Sequence, residues 1–185
     1  MNDVPLDAHE HAEHAEHAAH DPFIARVSMT IAVLAVVAAV SGTLETLEDG
    51  AAILSQNEAV LAQNEATDSW GFYEAKSLKK HMFAIAADAG GPKADEYRAE
   101  SKQNSDEGKA IQEEAKKHQA ERDDHLKETG VHEKRHHRLA IGATLAEMAI
   151  AIATIAIITR NTLPWLASVA LGAGGAIAVA LAYLT

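Results

Sequence analysis

The amino-acid sequence predicts an all-α membrane protein: three transmembrane helices, with a long antiparallel helical, coiled-coil hairpin between the first and the second. Three observations lead there. Apolar residues gather in blocks at 23–44, 139–159 and 163–184, each close to the ~20 residues that cross a bilayer's hydrocarbon layer. The charged stretch between the first two blocks has a single strong chain-reversal signal, "AGGP" at 89–92. Within that stretch Gln-Asn-Glu-Ala at 56–59 returns at 63–66, and a seven-residue return is the period of a helix packed against another helix.

The chain opens with an acidic tail, 1–22, that contains "HEHAEHAEHAAHDP". Imidazoles at His11, His14, His17 and His20 are of a type that binds zinc, copper or nickel. On a helix, Glu10, Glu13 and Glu16 would each lie four residues before a histidine. A short low-complexity run sets no coordination geometry, so the expectation is a solvated tail with no metal and no cofactor. Pro22 suits the first turn of the next helix, whose leading N–H groups have no helical acceptor. No basic segment introduces the first apolar block, which therefore reads as a retained anchor rather than a cleaved signal peptide.

The hairpin is expected over 45–138. Gly90 and Gly91 can close one helix in the left-handed region, Pro92 fits the start of the next, and Asp95 and Glu96 favour its N-terminus. The arms 45–89 and 93–138 have nearly equal lengths, so the second returns the chain to the membrane. Unbroken, each would extend ~65–70 Å at 1.5 Å per residue. Gly50, Gly71, Gly108 and Gly130 each cost ~1 kcal/mol inside a helix, so these are the positions where the arms could break or bend.

A 4-3 spacing in the first arm selects Leu47, Gly50, Leu54, Asn57, Leu61, Asn64, Asp68, Gly71, Ala75, Leu78, Met82 and Ile85 as its inner stripe. In the second arm it selects Tyr97, Ser101, Asn104, Gly108, Ile111, Ala115, His118, Arg122, His125, Thr129, His132 and His136. Folding about Gly90 and Gly91 pairs residues whose numbers add to roughly 182. Asn64 is thereby expected against His118, Asn57 against His125, and Gly50 with its neighbour Asp49 against His132. Buried asparagines in such a seam set register and partner number at a cost in stability. Asp49 and Glu58 are acids that could neutralise the histidines on protonation. The second arm has few apolar residues, so more helices are needed, and self-association into a homo-oligomer is the simplest source.

At "DSWGFYEAKSLKKH" (68–81) the chain resembles the domain-of-unknown-function 4337 family of bacterial membrane proteins, through Asp68, Trp70, Tyr73, Ala75, Lys76 and Lys79. The similarity continues through "ILSQNEAVLAQNEA", the charged return arm and "HHRLAIGATLAEMAIAIATIAIIT". The resemblance implies a three-helix membrane protein with an extramembrane helical insertion, and it supplies no activity. Family members often have Gln where this chain has Glu74 and Glu147.

Composition narrows the chemistry. With no cysteine, disulfides, thiolate metal sites and cysteine nucleophiles are excluded. A net charge of −11 argues against nucleic acid as a partner. No Ser-His-Asp order, phosphate loop or HExxH motif accompanies the histidines, so an enzyme is not expected. Glu147 falls eight residues into the second apolar block, ~12 Å along the axis and near mid-bilayer. Either it serves transport of protons or ions, or it is protonated and bonded to Thr30, Ser41, Thr144 or its own copy. Trp70, Phe72 and Tyr73 with Lys76, Lys79 and Lys80 either pack on the second arm or dock a protein partner. Lys134, Arg135 and Arg138 read as interfacial anchors, and they favour a cytoplasmic hairpin in a multi-pass bacterial inner-membrane protein. The expected role is a homo-oligomeric scaffold or interaction module, with proton, ion or metal transport or sensing through Glu147 and the histidine stripe as the alternative.

Overall fold

The computed structural model describes residues 21–184, which form three helices and no strand. These are α1 Pro22–Asp88, α2 Ala94–Thr159 and α3 Thr162–Leu184. The tail histidines His11, His14, His17 and His20 lie outside the described residues. Each helix contains a segment long and apolar enough to cross a membrane.

α1 and α2 run for 67 and 66 residues, so each joins an apolar block to a charged arm without interruption. Helix continues without a break through Gly50, Gly71, Gly108 and Gly130. Once a long helix is nucleated, one interior glycine costs ~1 kcal/mol, which flanking turns and packing offset. The helix ends follow local chemistry. The Asp21 carboxylate accepts a hydrogen bond from the Phe23 amide at 2.9 Å, and the Asn161 side-chain oxygen accepts one from the Leu163 amide at 2.9 Å; both are N-caps. Between α1 and α2, Gly90 and Gly91 hold φ of 77° and 107°, a region that residues with a Cβ rarely enter.

The described chain divides into two compact units, Gly50–His132 and the remainder. In the remainder, a seven-residue ladder on α1 (Val27, Leu34, Ser41 and Glu48) is buried. The buried positions of α2 and α3 are almost all small, from Ala143 and Ala146 to Ser168, Gly172 and Gly175. Without bulky apolar side chains, packing depends on close backbone approach. A Cβ on Gly142 would stand 2.5 Å from Val179 Cγ2, and one on Gly175 would stand 2.9 Å from the Gly142 carbonyl oxygen. Leu34 fills the notch at Gly172, where a Cβ would fall 2.2 Å from its Cδ2. Trp165 Nε1 donates to Thr30 Oγ1 at 3.1 Å, tying the start of α3 to α1.

In the unit Gly50–His132, α1 presents Ala52, Ser55, Ala59, Ala62, Ala66 and Ser69, all buried. Tyr73, Lys76, Lys80 and Phe83 continue the same 4-3 spacing half-buried. On α2 the covered positions are Tyr97, Ser101, Asn104, Gly108, Ile111, Ala115, His118, Arg122, His125, Thr129 and His132. Contacts join Phe83 to Tyr97, Lys80 to Ser101, His118 to Glu65 and Arg122 to Gln63. The paired numbers add to between 180 and 185.

The stripe expected on α1 needs correction. Asn57 and Asn64 are exposed, as are Leu47, Leu54, Leu61, Leu78, Met82 and Ile85. The covered stripe is displaced by two residues, about 200° around the helix at 3.6 residues per turn, so it occupies the opposite face. The reason lies on α2, whose inner positions carry long polar side chains. Their stems lie over alanine and serine while their polar ends reach water and acids at the rim. A leucine-lined partner would bury those polar ends at high cost.

Two outcomes test this packing. Cysteines at Ala66 and Ala115 belong to the same stack as Lys80 with Ser101, and they are expected to form a disulfide on mild oxidation, as mass spectrometry of digests would report. A pair at Asn57 and His125 is expected to stay reduced, because Asn57 points away. Replacing Gly175 with Val should lower unfolding stability by about 1–3 kcal/mol through overpacking, whereas Gly174→Ala enters open space and should be nearly silent in thermal melts.

Candidate functional site

The polar seam of the unit Gly50–His132 gathers most of the charged contacts that cross between α1 and α2. Because α1 offers only alanine and serine here, side chains from α2 pass over it to the carboxylates at its edge. His118 Nδ1 lies 3.2 Å from a Glu65 oxygen and 3.0 Å from Glu121, one turn along α2. One heptad on, His125 Nδ1 lies 3.3 Å from Glu58 and 3.9 Å from Glu128. The repeat "QNEA" thus places Glu58 and Glu65 at equivalent points, each facing a histidine with the same period. Between these layers, Arg122 donates to Gln63 Oε1 at 2.6 Å and pairs with Asp123 at 2.7 Å. Glu65, His118 and Glu121 bring their ligand atoms within 4.8 Å of one another, as a metal site would require.

Of the expected polar stripe, His118, His125 and His132 are half-buried on the covered face of α2. Asn57 and Asn64 do not join them, since each is one residue short of the glutamate that does. Glu65 and Glu121 were not singled out from the sequence. A signal existed for Glu121 and Glu128, which lie three residues beyond His118 and His125 and so share their helix face.

Toward the turn, the motif Asp68, Trp70, Tyr73, Ala75, Lys76 and Lys79 divides between the two faces. Tyr73 lies over Gly108, whose added Cβ would be 3.8 Å from the ring, and it meets Trp70 edge to face at 5.5 Å. Trp70 Nε1 is buried with no hydrogen-bond partner among the described residues. Lys76 forms an ion pair with Glu107 across the seam. Asp68, Ala75, Lys79 and Phe72 are exposed. A groove of about 600 Å³ follows, with Lys76, Lys79, Phe83, Tyr97 and Glu107 among its lining.

In the other unit, Arg135 lies 3.8 Å from buried Glu48 and stands over the Tyr183 ring at 5.4 Å. Arg138 donates to the Leu181 carbonyl at 2.7 Å. Lys134 alone of the three expected anchors is well exposed. Glu147 is exposed on α2 and has no hydrogen bond or ion pair among the described residues. The Thr30, Ser41 and Thr144 hydroxyls instead donate to helix carbonyls at Arg26, Val37 and Ala140.

Electrostatics in the seam favour ionised carboxylates. A hydrogen bond from Lys76, then one from Gln103, holds Glu107 below the usual range. A hydrogen bond from His118 does the same for Glu121. A depressed folded-state pKa contributes stability above the unfolded value, about 4.3 for Glu, and loses it as pH falls through the folded value. Melts of the wild type and of Glu107→Gln with Glu121→Gln are therefore expected to differ at pH 7 and to converge as pH drops below about 4. Curves that stay parallel across that window would show that neither carboxylate contributes.

No curated protein and no solved structure matches this chain. One family does, described as a domain of unknown function, over residues 23–185. The match takes in the apolar blocks, the seam and the Trp70 to Lys79 motif together, and the chain belongs to the domain-of-unknown-function 4337 family.

Proposed function

We propose that the protein is a non-enzymatic inner-membrane scaffold or interaction module, in which three transmembrane helices anchor an antiparallel coiled-coil hairpin that assembles with copies of itself. The observation that carries this reading is the outward stripe of α1. Leu47, Leu54 and Leu61 recur every seven residues and are 64%, 60% and 59% exposed. Asn57 falls between Leu54 and Leu61, and Asn64 follows three residues after Leu61. Steps of three and then four residues put these leucines at the a positions and these asparagines at the d positions of a coiled-coil seam, where a polar residue fixes register and partner number. A second copy anchored in the same membrane runs its α1 parallel to the first and offers the identical stripe. The hairpin is assigned to the cytoplasm on the strength of Lys134, Arg135 and Arg138 beside the second membrane segment.

A second reading, proton or ion passage, is favoured by Glu147. An intramembrane carboxylate that faces outward and finds no partner among the described residues needs one elsewhere, either a neighbouring copy or a wet path.

Light scattering of detergent-extracted protein is expected to give a multiple of 19.7 kDa. Leu54→Glu with Leu61→Glu should reduce it to one chain, while Asn57→Leu with Asn64→Leu should alter the copy number or broaden it. A monomer that both double variants leave unchanged would defeat the assembly. Glu147→Gln should keep the oligomer intact, and loss of proton flux in liposomes with an unchanged oligomer would favour passage over scaffolding.

A further inference from the structure

We propose that His118, Glu65 and Glu121 form a site for a divalent transition-metal ion of the zinc type, which clamps α1 to α2. The three groups come from both sides of the seam. One nitrogen, His118 Nδ1, stands 3.2 Å from Glu65 and 3.0 Å from Glu121. Two carboxylates and a single ring lone pair thus converge on one point, which places two negative charges where a proton would supply only one positive charge. The edges fit as well. Zinc with bonds of about 2.0–2.1 Å sets neighbouring tetrahedral ligands roughly 3.3 Å apart. All three ligand atoms fall within 4.8 Å of one another, so modest side-chain rotation closes the set. Imidazole with carboxylate oxygen suits zinc better than a hard cation, which prefers oxygen alone.

The surroundings permit this occupant. The His118 side chain is 19% exposed, while Glu65 and Glu121 are 50% and 42% exposed. The ring is therefore held by the seam, and the carboxylates remain open to an ion arriving from water. Lys117 lies 3.6 Å from the other Glu121 oxygen, leaving the one that faces His118 available. The copy around His125 is wider, with its second carboxylate at 3.9 Å, so the tighter set at His118 takes the metal.

Calorimetric titration of the full-length protein in detergent with zinc chloride at pH 7.5 tests the site. His9, His11, His14, His17 and His20 are replaced by alanine in every sample, so that the tail does not compete. About one equivalent should bind. Binding should weaken at least tenfold in His118→Gln and in Glu65→Gln, and change less than twofold in His125→Gln and Asn64→Gln. Glu65 sits at the rim, so Glu65→Gln with unchanged helicity by circular dichroism distinguishes loss of a ligand from loss of fold. Zinc should also raise the melting temperature of the parent and leave that of Glu65→Gln unmoved. Absence of saturable binding, or equal binding in the parent and in both His118→Gln and Glu65→Gln, would overturn the proposal. The oligomeric state enters none of these readings, so failure here leaves the scaffold reading standing.

Discussion

Small residues recurring every three and four positions along one face of α1 are the constraint on which the described seam depends. Ala52, Ser55, Ala59, Ala62, Ala66 and Ser69 supply little apolar area, and hydrophobic burial scales with area at about 25 cal/mol per Å². An alanine face therefore cannot hold two helices together by burial alone. It lets them come close, so that side chains from α2 lie flat across it and end at acids on the far rim. The contacts of His118 and His125 with Glu65 and Glu58 have this form, Arg122 reaches the Gln63 amide in the same direction, and Lys76 reaches back from α1 to Glu107. Exposed pairs of this kind are individually weak, about 0–1 kcal/mol each. Their contribution is to fix which residues face one another.

The same economy governs the other unit. Gly142 against Gly175, and Leu34 in the notch at Gly172, replace bulky side chains with backbone proximity. This logic suits lipid surroundings, where apolar burial between helices gains little because lipid tails are equally apolar. Large hydrophobic residues are accordingly free to point outward, as Val33, Val36, Ile155 and Ile158 do. In the unit Gly50–His132 the large apolar side chains of α1 lie mainly on its exposed face.

Two structural features stay in tension with an isolated chain. The leucine and asparagine stripe of α1 and the carboxylate of Glu147 are both exposed, and each is costly when left so. A single remedy, a neighbouring copy, addresses both, which is why self-assembly organises the functional reading. The histidine and glutamate layers have a separate character. They lie inside the unit Gly50–His132 and relate to its internal cohesion, so a cation bound there would act on the hairpin whether or not copies meet.

Three apolar helical segments, the reversal at Gly90 and Gly91 and the covered face of α2 were legible from the sequence alone. Hydrophobic blocks, paired glycines and a 4-3 spacing are local signals that tertiary contacts rarely override. Family membership was legible for the same reason, since Asp68 to Lys79 is a contiguous motif. Which face of α1 meets α2 was decided only by tertiary structure. α1 carries two heptad stripes on opposite faces, one apolar with asparagine and one small, and periodicity weighs both equally. Choosing between them requires knowing what the partner presents, and α2 presents imidazoles and a guanidinium that need carboxylates within reach. Glu58 and Glu65, each one residue beyond an asparagine, meet that need, so the repeat faces its partner through its glutamates and turns its asparagines outward.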